Sequence, residues 1–227
     1  SVLYKYLFRD PTPSAIKKLR DLTIANGKSQ LISMQQYLPK KLGRVLDFGA
    51  GYGEAAKLYL PFSEVVYIVE KDAAALESIK ATSGLEIIEE EDLLEDRYIG
   101  FFDLIIFSNV LEHMPLPLQQ IQNFSRNIAE GGLLFIEVPC EFELVKKNMG
   151  APLHIGFYNL ESFKNLIKIQ GSFDILNIHR CGASIEKIIK ANRFLHDTES
   201  QNTEDGYEIR AILKNVRPNQ NILEREL

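Results

Sequence analysis

Several things are scarce in this chain, and each scarcity closes off a class of protein. Cysteine occurs only twice in 227 residues, at Cys140 and Cys181. Two cysteines make no disulfide framework, so both are expected as free thiols in a reducing compartment. Positive charge is outnumbered: 26 basic against 31 acidic side chains leave a net charge of −5. That balance carries no footprint for a nucleic-acid backbone, which is bound through a basic face. Long apolar runs are also missing. The stretches at 104–107 and 133–136 fall far short of the roughly 20 residues that cross a bilayer. Residues 1–8 are too short and polar for a secretory signal, and no repeat or linker interrupts the chain. What remains, 45% hydrophobic and 25% charged, is the composition of a globular protein with a full core, expected in the cytoplasm.

The most informative stretch is Val45-Leu46-Asp47-Phe48-Gly49-Ala50-Gly51-Tyr52-Gly53-Glu54. A buried strand over 44–48 breaks into three glycines at alternate positions, and a helix is expected to begin over 54–60. Strand, glycine turn and helix together suit an anionic or nucleotide-like ligand. Glycine allows close backbone approach, and a helix N-terminus offers unpaired N–H groups. The spacing is not a dinucleotide fingerprint, which needs Gly or Ala where Glu54 stands, nor a P-loop, which ends in Gly-Lys-Ser/Thr.

Around this loop the chain reads as alternating helices and strands. Thr12-Pro13 starts a helix to about Ala25, Asn26-Gly27 breaks it, and a second helix runs over 29–38 to Pro39. This pair, 1–39, is expected as a helical cap over or beside the site, with Lys28, Gln30 or Tyr37 as lid residues. Strands follow at 64–70, 85–88, 102–109, 133–139 and 173–180, with a last one at 206–214. Between them lie helices at 73–81, at 117–130 with a Gly131-Gly132 stop, and at 159–170. The near-continuous apolar strands belong to a parallel sheet. The alternating 206–214 run reads as an antiparallel edge strand. The expected fold is therefore α/β: a doubly wound, Rossmann-like sheet of mostly parallel strands, seven in all, with the last antiparallel and helices on both faces. A helical insertion is expected over 184–205 of the 40–217 domain, with a tail at 218–227.

Glu70 ends the second strand 17 residues after Gly53, where a carboxylate can take both hydroxyls of a ribose in a doubly wound sheet. The glycine loop behind Asp47 resembles the first motif of class I S-adenosylmethionine-dependent methyltransferases. The segment Phe102-Asp103-Leu104-Ile105-Ile106 leading into Asn109-Val110-Leu111-Glu112-His113-Met114 is similar to the fourth motif of their small-molecule branch. That branch includes ubiquinone-biosynthesis and sugar-modifying enzymes. The resemblance covers about residues 40–216 and implies S-adenosylmethionine as cofactor and S-adenosylhomocysteine as product. It implies Gly49, Ala50, Gly51 and Tyr52 along the methionine part. Asp47 would position the ammonium or the loop itself, and Glu70 and Lys71 would lie at the ribose. Asp92, or its neighbour Glu91, and Leu93 would meet the adenine, with Ser108 and Asn109 nearby. The Asn/Asp/Ser-Pro-Pro-aromatic motif of nucleic-acid amino-methyltransferases is absent.

Methyl transfer from a sulfonium is an in-line displacement, so the protein must align acceptor and donor and often deprotonate a hydroxyl. Candidates belong at the carboxyl ends of strands. His113 follows the fourth strand and His154 the fifth, and histidine titrates near neutral pH. Both are candidate bases, and each has the plainer alternative of bracing its own loop, as does Glu112. Glu137, Glu141, Glu143 and Tyr158 are candidate substrate contacts. Their spacing matches no strong metal motif, so no metal is expected. The acceptor is expected to be a hydroxyl of a small molecule or glycan. The alternatives are a protein or RNA acceptor, or a non-catalytic cofactor-binding protein.

Overall fold

The computed structural model describes residues 13–81, 84–141, 145, 154–191 and 203–216. Glu143, most of the 192–205 part of the expected insertion, and the 218–227 tail lie outside them, as do residues 1–12. Seven strands form one sheet: β1 (Leu42–Phe48), β2 (Ser63–Val69), β3 (Leu85–Ile87), β4 (Phe102–Ser108), β5 (Ile128–Pro139), β6 (Phe173–Ser184) and β7 (Gly206–Asn215), in the order β3-β2-β1-β4-β5-β7-β6. Strands β1 to β5 pair in parallel, and β7 runs antiparallel to both β5 and β6. The helices are α1 (Pro13–Met34), α2 (Ala73–Lys80), α3 (Pro117–Asn127), α4 (Leu160–Gln170) and α5 (Ile185–Ala191).

Side chains alternate across a strand, and the sheet accordingly carries two cores. On one face Leu46, Phe107, Leu134 and Ile136 pack with Phe124 of α3 and Phe163 of α4. On the other, Val45, Leu104, Phe135 and Ile212 pack with Met34 of α1, Tyr59 and Ile79 of α2. This alternation fixes where the polar ends of the strands point. Asp47 continues the row of Val45, Glu137 the row of Phe135, and Arg210 the row of Ile212, all on the face that α1 covers.

Four local expectations are corrected. The N-terminal segment forms one helix over Pro13–Met34 rather than two, because Gly27 is a packing residue. A Cβ there would stand 2.8 Å from Leu58 Cδ1 and 3.1 Å from Ala55 Cβ, so glycine lets α1 lie against the segment after the glycine loop. That segment is a 3₁₀ turn, Ala56–Phe62, with Pro61 inside it, instead of a regular α-helix; proline supplies no N–H to an i→i−4 ladder. Helix α3 stops at Asn127, before the glycines, and β5 begins at once. There the Asn215 amide donates to the carbonyls of Ser125 (3.1 Å) and Ile128 (2.8 Å), taking the place of further helical bonds. Finally, β7 is interior, wedged between β5 and β6, and Ile209 to Leu213 are buried without a break. Arg210 makes that run look alternating in the sequence, although its charge is neutralised inside the protein.

Candidate active site

The glycine loop turns at the carboxyl end of β1. Gly49 and Ala50 donate their N–H groups to Val69 O of β2, at 2.8 and 3.2 Å. Gly49 has φ +80°, and a Cβ there would sit 2.5 Å from Val110, so both its conformation and its crowding require glycine. Gly51, with φ +55°, has nothing within 4 Å of where its Cβ would be. The loop therefore presents bare backbone to open space at that residue. Its N–H bonds Glu70 Oε2 at 2.7 Å, while Glu70 Oε1 accepts from the N–H groups of Lys71 and Asp72, both at 2.8 Å. Three of the roughly four lone-pair positions of that carboxylate are thus used, and one is left for a hydroxyl. Tyr52 lies under Arg20 of α1, whose guanidinium is 5.0 Å from the ring centroid.

Asp47 is buried beside this loop, and burial, aided by the Glu70 charge, pushes its carboxyl up to about 7. A buried acid next to another acid is a place for a cation. Beyond Glu70 lies a cavity of about 210 Å³ whose lining includes Lys71, Glu91, Leu93, Gln120 and Phe124. Lys71 also pairs with Glu90 at its rim. Glu91 is in the lining, whereas Asp92 lies 3.7 Å from Arg97. Both acids considered for the adenine thus stand on one turn beside this cavity, with Glu91 in its lining. Open backbone at Gly51, an uncompensated acid at Asp47, a carboxylate with a spare lone pair at Glu70 and an adjoining cavity together fit an amino-acid–nucleoside conjugate such as S-adenosylmethionine.

Ser108, Asn109 and Glu137 belong to a different structure from the one expected. Glu137 is fully buried and bonded to Arg210, its direct cross-strand partner on β7. Its Oε1 also accepts from Asn26 (2.8 Å) and Gln30 (2.8 Å) of α1, from Ser108 (2.9 Å) and from Asn109 (3.2 Å). Arg210 in turn donates to Ser29 and Ser33 at 2.9 Å and to Asn26 at 3.0 Å. Burial alone would raise the Glu137 carboxyl, but the Arg210 guanidinium and the amide hydrogen bonds hold it below its usual value. Glu137 is thus bound into a buried ion pair that fastens α1 to the sheet, rather than standing open as the expected substrate contact. The sequence reading missed Arg210, Asn26, Ser29 and Ser33. Of the three lid candidates, Gln30 is bound into this network, Tyr37 reaches Leu176 O at 3.4 Å, and Lys28 is exposed.

The other sequence candidates converge a short way along the same edge. The Glu112 carbonyl accepts the N–H groups of Ile155 and Gly156, both at 2.9 Å, which ties the segment before α4 to the turn after β4. His113 and His154 are thereby brought edge to face, with ring centroids 4.7 Å apart. His154 Nδ1 lies 2.6 Å from Glu141 Oε2, and Tyr207 donates to Glu141 Oε1 at 2.7 Å. The imidazole is therefore oriented by Glu141, with Nε2 left to act. Nε2 is 3.9 Å from Glu112 Oε1, as is His113 Nε2. Burial, reinforced by Glu141 and Glu137, pushes the Glu112 carboxyl up to about 8. Tyr158 is buried against Phe163, and that burial, with Glu112 nearby, raises its phenol to about 12.

Comparison with known proteins agrees with this geometry. Residues 17–172 match the model of a family described as a methyltransferase domain, a span that includes most of α1 and ends just past α4. No curated protein matches the chain. Among solved structures, a SAM-dependent methyltransferase from Archaeoglobus fulgidus superposes with a TM-score of 0.62 at 19% identity, covering 94% of this chain and 99% of that one. NodS, an N-methyltransferase from Bradyrhizobium japonicum in complex with S-adenosyl-L-homocysteine, gives 0.59 at 13% identity, with 92% and 90% covered. A SAM-dependent methyltransferase from Mesorhizobium loti gives 0.59 at 13%, covering 84% and 100%. At such identities the superpositions speak for the fold. With the family match over two thirds of its length and the glycine loop in register, the chain belongs to the methyltransferase-domain family, and its methyl donor is S-adenosylmethionine.

Proposed function

We propose that the chain transfers the methyl group to a hydroxyl of a small molecule or glycan. One observation carries this reading: His154 is held by Glu141 with its Nε2 directed to Glu112, past the carboxyl ends of β4 and β5. A neutral amine needs only alignment, whereas a hydroxyl gains from a group that takes up its proton or stabilises its anion. The cofactor supplies the activated methyl. The chain's own residues hold it: Asp47 against the ammonium, the Gly49–Gly51 backbone along the methionine part, Glu70 at one ribose hydroxyl, and Glu91 with Leu93 at the adenine. Tyr158 and the exposed Ile155 and Phe157, beside His154, supply apolar surface for the acceptor's body.

The test is product analysis. Purified chain is incubated with S-adenosylmethionine and matched sets of phenols, sugar alcohols and amines, and the methylated atom is located by mass spectrometry. Methyl ethers that disappear in His154→Ala are the expected outcome. Methylation of amines alone, with His154→Ala as active as wild type, would overturn the assignment of a hydroxyl acceptor.

A further inference from the structure

The turn after β4 and the segment before α4 leave two buried polar atoms with nothing to bond. Glu112 is 1% exposed and His154 8% exposed, yet among the described residues Glu112 Oε2 and His154 Nε2 have no hydrogen-bond partner. Groups desolvated in this way cost free energy unless something charged or hydrogen-bonding joins them. One ligand atom each from Glu112, His113 and His154 lies within 4.8 Å of the others. We infer that these three residues form a binding site for one divalent transition-metal ion, and that the ion takes the oxygen of the acceptor.

Ligand type selects the class of ion. Two imidazoles and one carboxylate suit zinc, iron, cobalt or nickel, whereas magnesium and calcium prefer oxygen donors. A three-ligand set also leaves a coordination position open, as catalytic sites do and closed structural sites do not. The separations are near those required. Tetrahedral coordination at about 2.1 Å places ligand atoms roughly 3.4 Å apart, against the 3.9 Å from Glu112 Oε1 to each imidazole Nε2. Binding the ion would require side-chain rotations that draw all three atoms, now within 4.8 Å of one another, closer together. The supporting shell is already built: Glu141 holds His154 Nδ1, and Tyr207 holds Glu141. A carboxylate behind a ligating histidine fixes its tautomer and raises its basicity. His113, at 26% side-chain exposure, leaves the cluster open to solvent on one side.

This inference rests on the hydroxyl reading and changes the part His154 plays in it: Nε2 binds the ion, and the ion, not the imidazole, stabilises the acceptor's anion. The acceptor hydroxyl enters the open position and loses its proton to water, its acidity increased by the ion. The resulting oxygen forms the new C–O bond while the methyl–sulfur bond breaks, and that electron pair returns to sulfur as a neutral thioether. Linear spacing hides the set, because 41 residues (154 − 113) separate the two histidines.

The test is metal binding by the full chain after chelation and dialysis, titrated with zinc and separately with cobalt(II). One ion per chain is expected, with an absorption spectrum for cobalt of four- or five-fold coordination. His154→Ala and Glu112→Gln are expected to weaken zinc binding on the order of 100-fold or more, and Glu141→Gln about 10–100-fold. Calorimetric binding of S-adenosylmethionine, unchanged in the same variants, shows that they are folded. Should a buried variant fail to fold, His113→Ala, at the open side, is expected to weaken zinc binding likewise. Absence of stoichiometric zinc or cobalt binding, or binding that ignores these substitutions, overturns the site. Because cofactor binding and the methylated atom are read separately, a chelated enzyme still making methyl ethers at full rate would sink the metal and leave the hydroxyl reading standing.

Discussion

Two buried glutamates lie close together at the carboxyl edge of this sheet, and the fold treats them in opposite ways. Glu137 faces a guanidinium directly across the β5–β7 ladder and accepts from two amides of α1, from Ser108 and from Asn109. Glu112, equally buried, meets two imidazole nitrogens at 3.9 Å and keeps one oxygen without a partner. An acid whose every need is met inside the protein is part of the structure. An acid left wanting, among groups of the right chemistry, is waiting for something from outside. Asp47 is of the second kind: its burial and the Glu70 charge both raise its carboxyl, and the cofactor's ammonium is the cation proposed for it above.

The sharpest way to break this comparison is at Arg210. Arg210→Met strands Glu137 in the interior and is expected to cost about 3–5 kcal/mol of stability, measured by urea unfolding. The double variant with Glu137→Gln should recover part of that loss, because the stranded charge is gone. A loss below about 1 kcal/mol would mean that Glu137 is solvated and the ion pair incidental.

Asp47→Asn should act in the other direction. The carboxyl's folded value, about 7, lies above its ordinary 3.8, so between those limits the folded state holds a proton that the unfolded state has released. Stability from this group is therefore fully present below about pH 4 and falls as pH rises toward 7. Without cofactor, the asparagine variant should match wild type at pH 4 and exceed it by about 2–4 kcal/mol at pH 8. Its affinity for S-adenosylmethionine should fall by tenfold or more. A variant gap that does not change with pH would remove Asp47 from the class of waiting acids.

The smallest expected effect on stability belongs to Glu112→Gln. In chelator-treated protein near neutral pH it replaces a carboxyl that burial holds largely protonated with an amide of the same volume, and should change unfolding free energy by between zero and about 2 kcal/mol in the stabilising direction. Methyl transfer should nevertheless be lost. Destabilisation comparable to Arg210→Met would show that Glu112 is as structural as Glu137.

Different parts of this site were legible in the sequence to different degrees. The glycine loop, Glu70 and the segment from Asn109 to Met114 were readable because each is a local arrangement of backbone and its immediate neighbours. Asp92 and Glu91 could not be separated for the adenine by sequence, because both lie on one short turn and only its orientation tells them apart. Gly27 read as a helix break because glycine usually weakens a helix, and nothing in the sequence shows Leu58 pressing on it. Arg210 carried an overlooked signal, a lone arginine inside an apolar strand, matched by Glu137 inside the apolar run of β5.

The sequence by itself determined the order of the strands, most of the helices and the donor. Those follow from periods of two and 3.6 residues and from the turns that glycine permits, all interactions between near neighbours. Only the tertiary structure decided that Glu137 is neutralised and Glu112 is not, that α1 is fastened to β5 and β7, and that His113, His154 and Glu141 meet. A buried charge is stabilised or left wanting by whatever lies within a few ångströms of it, and around Glu137 those neighbours come from 28 to 111 residues away along the chain.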